Sequence, residues 1–288
     1  MSRSLVTGAG GFIGQELVKY LRSKNCETYS WTRATGNLLN EQQVKKVLDS
    51  YMPETIYHLA AGKSEGSNHD WQNAAAEVQM FTNLLRHTSR SCKLIVAGSM
   101  AEIGYAGVHA EDCLCKPDTA YGFAKNCLVN AAIAMRHNHG RDIRVARLFG
   151  VFGPGEGPTR LIPTLVRQLA IGQRVPLSDG NQLRDFVHVN DVCRILKTLA
   201  DSSGSFPSVL NIGTGKSVSV REVCESVADY LGADRQLLGF GDMARRIVDQ
   251  DILVADVSRL GGFTDVPKQF WPRSPTVLEY VGSLAKLQ

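Results

Sequence analysis

Along the first half of the chain, short apolar runs alternate with longer stretches whose apolar residues recur about every 3.6 positions. The short runs are residues 4–7 (SLVT), 27–31 (ETYSW), 55–60 (TIYHLA), 93–98 (KLIVAG) and 143–148 (IRVARL), and they predict strands. Between them GQELVKYLRSK, EQQVKKVLDSY, WQNAAAEVQMFTNLLRHTSR and YGFAKNCLVNAAIAMRHN predict helices. Such alternation predicts βα units on a parallel sheet with right-handed crossovers. The expected class is therefore α/β with a doubly wound parallel sheet.

After Leu148 the rhythm changes. GVFGPGEGPTR is rich in Gly and Pro and reads as a hinge or loop. A helix follows (LIPTLVRQLAIG), then a short extended piece, then RDFVHVNDV entering another helix, then SVLNIGTG as a strand and turn. SVREVCESVADYLG predicts an amphipathic helix, with Ser219 as N-cap and Glu222 as its capping-box partner. The last segment is less regular, and there is no repeat or low-complexity tract. This pattern divides the chain into a first domain of residues 1–153 plus about 184–212, and a smaller, mostly helical one of residues 154–183 and 213–288.

The chain has 288 residues, room for one large or two modest domains. Lys and Arg number 32 against 28 Asp and Glu, a net +4 without a basic run, so no nucleic-acid or membrane-surface footprint is expected. The small positive excess suits a phosphate-bearing small molecule. MSRSLVTGAGG enters a strand pattern at once without a signal-peptide pattern, and no apolar run is long enough to span a bilayer. Seven cysteines are scattered without a C-x-x-C; Cys113 and Cys115 have no His partner at zinc spacing. They read as reduced packing residues, no metal site is expected, and the expected compartment is the cytoplasm.

VTGAGGFIG sits between the first strand and the first helix, with Gly8, Gly11 and Gly14 in G-x-x-G-x-x-G spacing. Glycine allows the tight turn and removes the Cβ that would hold the backbone off a pyrophosphate, while the new helix points free N–H groups at it. An NAD site usually has an acid at the end of the second strand, holding the ribose hydroxyls. Here that end reads SWTRATG, with Arg33 and no Asp or Glu. A guanidinium binds a 2′-phosphate that an acid would repel, so the pattern favours NADPH over NADH, with NAD as the alternative.

The chain resembles the extended short-chain dehydrogenase/reductase family, which includes nucleotide-sugar epimerases, dehydratases and reductases, and the likeness runs through nearly its whole length. VTGAGGFIG looks like the family's cofactor loop, GNLLN its G-D-L-x-D stretch, IYHLAAGK its H-x-A-A run, AGSMAEIG its active-site serine segment and AYGFAK its Y-x-x-x-K motif. RLFGVFGPG, RDFVHVNDV and NIGTG are similar to signatures of sugar-nucleotide members. The resemblance implies a Rossmann domain and a substrate domain. It implies cofactor contacts at Gly8, Gly11, Phe12, Ile13, Gly14, Arg33, Asn37, Leu38, Ala60, Ala61, Lys63, Tyr121 and Lys125. Asn37 stands where an Asp usually contacts adenine. The resemblance also implies a homodimer paired through the two long helices near 71–90 and 121–137.

Residues four apart on a helix share a face, so Tyr121 and Lys125 form one unit. With Ser99 they make the catalytic trio that the family likeness implies. Reducing a ketone needs a hydride at carbon, which NADPH supplies, and a proton at oxygen. A phenol with an ordinary pKa of about 10 is a protonated donor near neutrality, and a nearby ammonium makes that proton easier to give. Ser99 would hydrogen-bond the developing oxyanion.

Family dehydratases carry acids just after the active-site Ser or Thr. Met100 and Ala101 fill those places here, and Glu102, one step on, is expected to miss the substrate. A 4-epimerase needs only the trio and tightly held NAD, but Gly150 stands where epimerases commonly have Asn. The expected activity is reduction of the 4-keto group of a nucleoside-diphosphate-4-keto-6-deoxy sugar, with NAD-dependent 4-epimerase as the alternative. A non-catalytic cofactor-binding regulator is a second alternative, though such relatives often lose the Tyr or Lys kept here. Substrate contacts are expected from Ser99, Met100 and Arg184, the last on the pyrophosphate, against a structural Arg paired with a nearby acid. A second phosphate-binding Arg is missing near Gly239, and Arg245 or Arg246 are its expected substitutes.

Overall fold

A computed structural model describes residues 2–62, 70–204, 206–246, 248–268, 271 and 275–286. Strand β1 (Arg3–Thr7) leads into helix α1 (Phe12–Ser23), followed by β2 (Glu27–Trp31), α2 (Glu41–Tyr51), β3 (Thr55–His58), α3 (Trp71–His87), β4 (Lys93–Ser99) and α4 (Ala120–His139). With strands Ile143–Leu148 and Val209–Ile212 these form a six-stranded sheet in the order Val209–Ile212, Ile143–Leu148, β4, β3, β1, β2. β1 runs parallel to β2 and β3, with Val6 opposite Ser30 and Tyr57, and β4 runs parallel to β3 and to Ile143–Leu148. This is the α/β parallel sheet that the alternation predicts. The chain adds β2 on one side of β1 and β3 on the other. That reversal opens a crevice beyond the carboxyl ends of β1 and β3, the usual ligand site of an open parallel sheet.

Local chemistry sets the helix ends. Asn40 caps α2 by accepting from Gln43 N, Asp70 caps α3 by accepting from Asn73 N, and Thr119 caps α4 by accepting from Gly122 N. α4 stops at Gly140, whose left-handed φ of 62° carries no Cβ penalty. Leu5, Ile56, Leu94, Val96, Ile143 and Val145 carry the sheet's side of the core, against Phe81, Leu84, Leu128 and Ala132 of α3 and α4.

The chain divides into two compact units: Met1–Gly104 with Glu111–Leu148 and Val192–Asn211, and Tyr105–Ala110 with Phe149–Asp191 and Ile212–Gln288. Residues 184–191 thus group with the second unit, not with the first as the sequence pattern suggests. The cause is Asp185, whose carboxylate accepts from Thr214 N (2.8 Å), Thr214 Oγ1 (2.6 Å), Gly215 N (2.9 Å) and Ala255 N (3.3 Å). The second unit has its own core, in which Ile162, Leu165, Val223, Val227, Trp271 and Val281 join helices Leu161–Ala170, Val220–Leu231 and Pro275–Ala285. Short strands accompany those helices, so the unit is less purely helical than its sequence predicts. The capping box is in place: Ser219 Oγ accepts from Glu222 N (3.1 Å), and Glu222 Oε2 accepts from Ser219 N (2.9 Å).

Candidate functional site

β1 ends at Thr7, and Gly8 turns the chain with φ +67°. A Cβ on Gly8 would lie 2.7 Å from Ala60 N, and one on Gly14 would fall 2.1 Å from Gly8 O. The glycine loop therefore packs directly against the chain leaving β3. Gly11 is the N-cap of α1, yet no side chain caps this helix and its first turn holds no acid. By helix geometry the N–H groups of Phe12, Ile13 and Gly14 have no acceptor within the helix. A glycine-walled turn under a bare helix N-terminus fits a pyrophosphate, so these residues suit a dinucleotide. Across the crevice, Thr7 Oγ1 sits 2.8 Å from His58 Nδ1 and accepts from Ala60 N (3.3 Å). Ala60 is buried and Ala61 exposed; Lys63 lies outside the described residues.

Beyond β2, Arg33 is exposed and lines a cavity of about 800 Å³ together with Gly36, Asn37, Gln43, Lys46 and Tyr51. No acid lines it. Lys46 is a second cation that motif reading overlooked; its signal was its place one turn beyond Gln43 on α2. Asn37 shapes the turn: its Oδ1 accepts from Leu39 N (3.0 Å) and its N–H donates to Gln43 Oε1 (2.9 Å). Leu38 leaves only its main chain to face a cofactor. Its side chain is in the core, and its carbonyl accepts from Asn83 Nδ2 (2.8 Å).

Ser99 ends β4 and starts a 3₁₀ turn, Met100–Glu102. Its Oγ accepts from Ala101 N (3.2 Å), while Glu102 Oε1 accepts from Ser99 N (2.6 Å). Glu102 is fully buried, with Oε2 3.0 Å from Arg147 Nε. A Cβ on Gly122 would fall 2.2 Å from Ala101 O, so α4 lies hard against this turn. That approach brings the turn bearing half-buried Tyr121 beside the turn bearing Ser99. Lys125 follows one turn later, with Nζ donating to Ala97 O (2.9 Å) and standing 5.6 Å from the Tyr121 ring centroid. It is also 2.8 Å from Glu77 Oε1 of α3, with the two side chains 3% and 1% exposed. Burial pulls the Lys125 pKa down, but Tyr121 and Glu77 outweigh it and the net direction is up, so the ammonium stays charged. Glu77 is the functional candidate that sequence reasoning missed. Its only signal was a lone acid among apolar residues in AAAEVQMF.

In the second unit, Arg184 is paired with Asp249 and donates to Leu183 O (2.8 Å). Arg245 donates to Asp251 Oδ1 (2.7 Å) and Asp249 O (3.0 Å), and Arg246 is exposed. Both Arg184 and Arg245 thus converge on Asp249. Beside Gly239, where no Arg stands in sequence, lies the guanidinium of Arg174: a Cβ on Gly239 would be 3.0 Å from its Nε. Arg174 is held by Asp242 in two parallel bonds (2.7 and 3.0 Å). A Cβ on Gly150 would meet Asp185 O at 2.6 Å, so no longer side chain fits there without a shift. His188 is buried, edge-on to Phe152 at 5.3 Å, and reads as structural. Among the described residues no helix is long and apolar enough to cross a membrane, and no group of His, Cys, Asp and Glu could hold a metal ion.

Comparison with known proteins adds to this geometry. GDP-6-deoxy-D-talose 4-dehydrogenase of Aggregatibacter actinomycetemcomitans is 30% identical over 241 residues, 78% of this chain and 79% of its own. A dTDP-glucose 4,6-dehydratase of Actinoplanes sp. is 33% identical over 274 residues, 82% of this chain and 84% of its own. The structure of MoeE5 in complex with UDP-glucuronic acid and NAD matches with a TM-score of 0.84 and 29% identity, over 99% of this chain and 99% of its own. Residues 4–213 match the NAD dependent epimerase/dehydratase family. The chain belongs to that family, the extended short-chain dehydrogenase/reductases whose members act on nucleotide sugars.

Proposed function

We propose that this protein reduces the 4-keto group of a nucleoside-diphosphate-4-keto-6-deoxy sugar, with NADPH as the preferred coenzyme. The observation that carries the reading is the environment of Glu102. A dehydratase must remove a proton at one carbon and deliver one at another. Met100 and Ala101 carry no such proton, and Glu102, the one acid of the turn, is sealed between Arg147 and Ser99 N. What remains is redox chemistry at a single carbon. Likeness to a protein named a GDP-6-deoxy-D-talose 4-dehydrogenase supports the fourth position and the 6-deoxy sugar. Arg33 and Lys46, with no acid in the same cavity, support NADPH.

The bound coenzyme supplies the hydride. The glycine turn and the N-terminus of α1 hold its pyrophosphate. Tyr121 gives its proton to the ketone oxygen, and Ser99 Oγ steadies the same oxygen as negative charge builds. Lys125 has three N–H donors; Ala97 O engages one and Glu77 Oε1 stands 2.8 Å away as counter-ion, which leaves a donor for a ribose hydroxyl. Arg184 serves the substrate pyrophosphate by exchanging Asp249 for phosphate, with Arg245, Arg246 and Arg174 as further guanidinium sources. The active species is a homodimer joined through α3 and α4, whose Trp71 and Phe123 stand exposed and edge-to-face at 5.6 Å. Sedimentation at twice the chain mass, lost on Trp71→Glu, is the expected result.

Likeness to the MoeE5 structure, which holds NAD, favours NAD as coenzyme, and with the same trio this gives a second reading, an NAD-dependent 4-epimerase. One experiment separates them: mix the protein with NADPH or NADH and a panel of nucleotide-linked 4-keto-6-deoxy sugars. Loss of reduced-coenzyme absorbance is expected, faster with NADPH. Firmly bound NAD with sugar interconversion and no net redox would establish the epimerase. Coenzyme binding with no turnover on any sugar would leave a non-catalytic sensor.

A further inference from the structure

Glu77 is a carboxylate of α3 held almost wholly out of water, and burial at that depth is rare for Glu unless it is paired. Its two oxygens reach different parts of the site. Oε1 lies 2.8 Å from Lys125 Nζ, although no in-line hydrogen bond reaches it, so the contact is Coulombic first. Oε2 accepts from Gly62 N (3.3 Å), at the end of the chain segment that packs on the glycine loop. A buried ion pair of this kind is weak evidence for stability, because an apolar pair of the same volume would often serve as well. Its placement, 2.8 Å from the ammonium that itself stands 5.6 Å from the Tyr121 ring, is where a charge alters proton transfer.

We propose that Glu77 is a positioning residue that holds Lys125 against the crevice and offsets part of its positive charge, thereby setting the acidity of the Tyr121 phenol. The inference rests on the assignment of Tyr121 as proton donor. Other groups around Lys125 leave this role to Glu77. From β3, His58 is buried and neutral, its pKa pushed down to about 3 by burial first and by Lys125 second. From the 3₁₀ turn, Glu102 has its own counter-ion in Arg147 of strand Ile143–Leu148. From α4 itself Tyr121 is the titratable group that acts on Lys125. Removing the Glu77 charge while keeping its shape leaves the ammonium uncompensated and makes the phenol more acidic.

The test is Glu77→Gln, read by the near-ultraviolet absorbance of tyrosinate against pH. Subtracting the same titration of Tyr121→Phe, in each background, isolates Tyr121 and needs no substrate. The Tyr121 midpoint is expected to fall by about one pH unit or more in Glu77→Gln, the lower end of what a charge at this range does. The basic limb of kcat for reduction should move to lower pH by the same amount, with KM nearly unchanged. An unmoved midpoint in folded Glu77→Gln overturns the proposal. If that variant does not fold, Glu77→Asp keeps the charge but draws it back from Lys125; a partial fall supports the proposal and no change overturns it. Full turnover by Tyr121→Phe would instead overturn the assignment of the proton donor, an outcome distinct from an unmoved midpoint.

Discussion

Arg147 Nε lies 3.0 Å from Glu102 Oε2, and both side chains are sealed from solvent. Arg147 also donates to Glu111 O (3.3 Å) and Asn211 Oδ1 (3.4 Å) and touches the sulfurs of Cys113 and Cys115. This pair pins the turn bearing Ser99 to the neighbouring strand, and it removes Glu102 from proton chemistry. Arg147→Met strands a buried carboxylate and is expected to cost about 3–5 kcal/mol of stability. Urea unfolding followed by circular dichroism measures it; a loss under about 1 kcal/mol would mean the pair does not anchor the turn.

Tyr121→Phe removes one hydroxyl and leaves the ring beside Lys125. Turnover is expected to fall by roughly 10²–10⁴-fold, the usual size of a general-acid contribution, while coenzyme affinity stays near wild type. Steady-state kinetics with the responding keto sugar and fluorescence titration with NADPH test the two halves separately.

Gly122→Ala introduces a methyl group 2.2 Å from Ala101 O, a backbone atom that cannot turn aside. α4 must then move off the turn that carries Ser99. The expected result is a loss of about 1–3 kcal/mol in stability together with a fall in kcat, because the Ser99–Tyr121 spacing opens. A variant with wild-type kcat and melting temperature would show that the close approach does not set the site.

His58 gives the fold a pH dependence with a definite sign. It is fully buried, 2.8 Å from Thr7 Oγ1 and stacked on Phe81, with a folded pKa of about 3 against an unfolded value of about 6.5. In that window the unfolded chain binds the proton and the folded one does not, so stability falls as pH falls. The slope is about 1.4 kcal/mol per pH unit, or about 2 kcal/mol between about pH 6.5 and about pH 5. Chemical denaturation at the two pH values should show that excess loss in the wild type and not in His58→Asn.

Arg33 stands at the end of β2 in a cavity that also holds Lys46 and no acid. Arg33→Asp is expected to weaken NADPH binding by roughly tenfold or more, since a charge-assisted contact is replaced by repulsion, and to spare or improve NADH. Coenzyme titrations by intrinsic fluorescence read the ratio directly. Equal effects on both coenzymes would remove Arg33 from the 2′-phosphate.

Much of the local structure is legible from neighbours in sequence. β2 and strand Ile143–Leu148 begin and end where their apolar runs do, α2 spans its periodic stretch, and the Ser219–Glu222 capping box forms as its spacing predicts. These features depend on residues within about one helical turn or one strand of each other, so the sequence carries them whole. The glycine turn is legible for the same reason: a tight φ and a missing Cβ are local properties.

What the sequence alone determined is the alternation of elements, the address of the glycine turn and the shared face of Tyr121 and Lys125. Only the tertiary structure decided the partners: Glu77 under Lys125, Arg147 over Glu102, Arg174 beside Gly239, Asp185 holding Thr214 and Gly215, and Leu38 in the core. Each joins residues far apart in the chain, and their meeting follows from strand order and helix docking. A charge or a side chain takes its role from what stands within a few ångströms of it, and no local pattern records that.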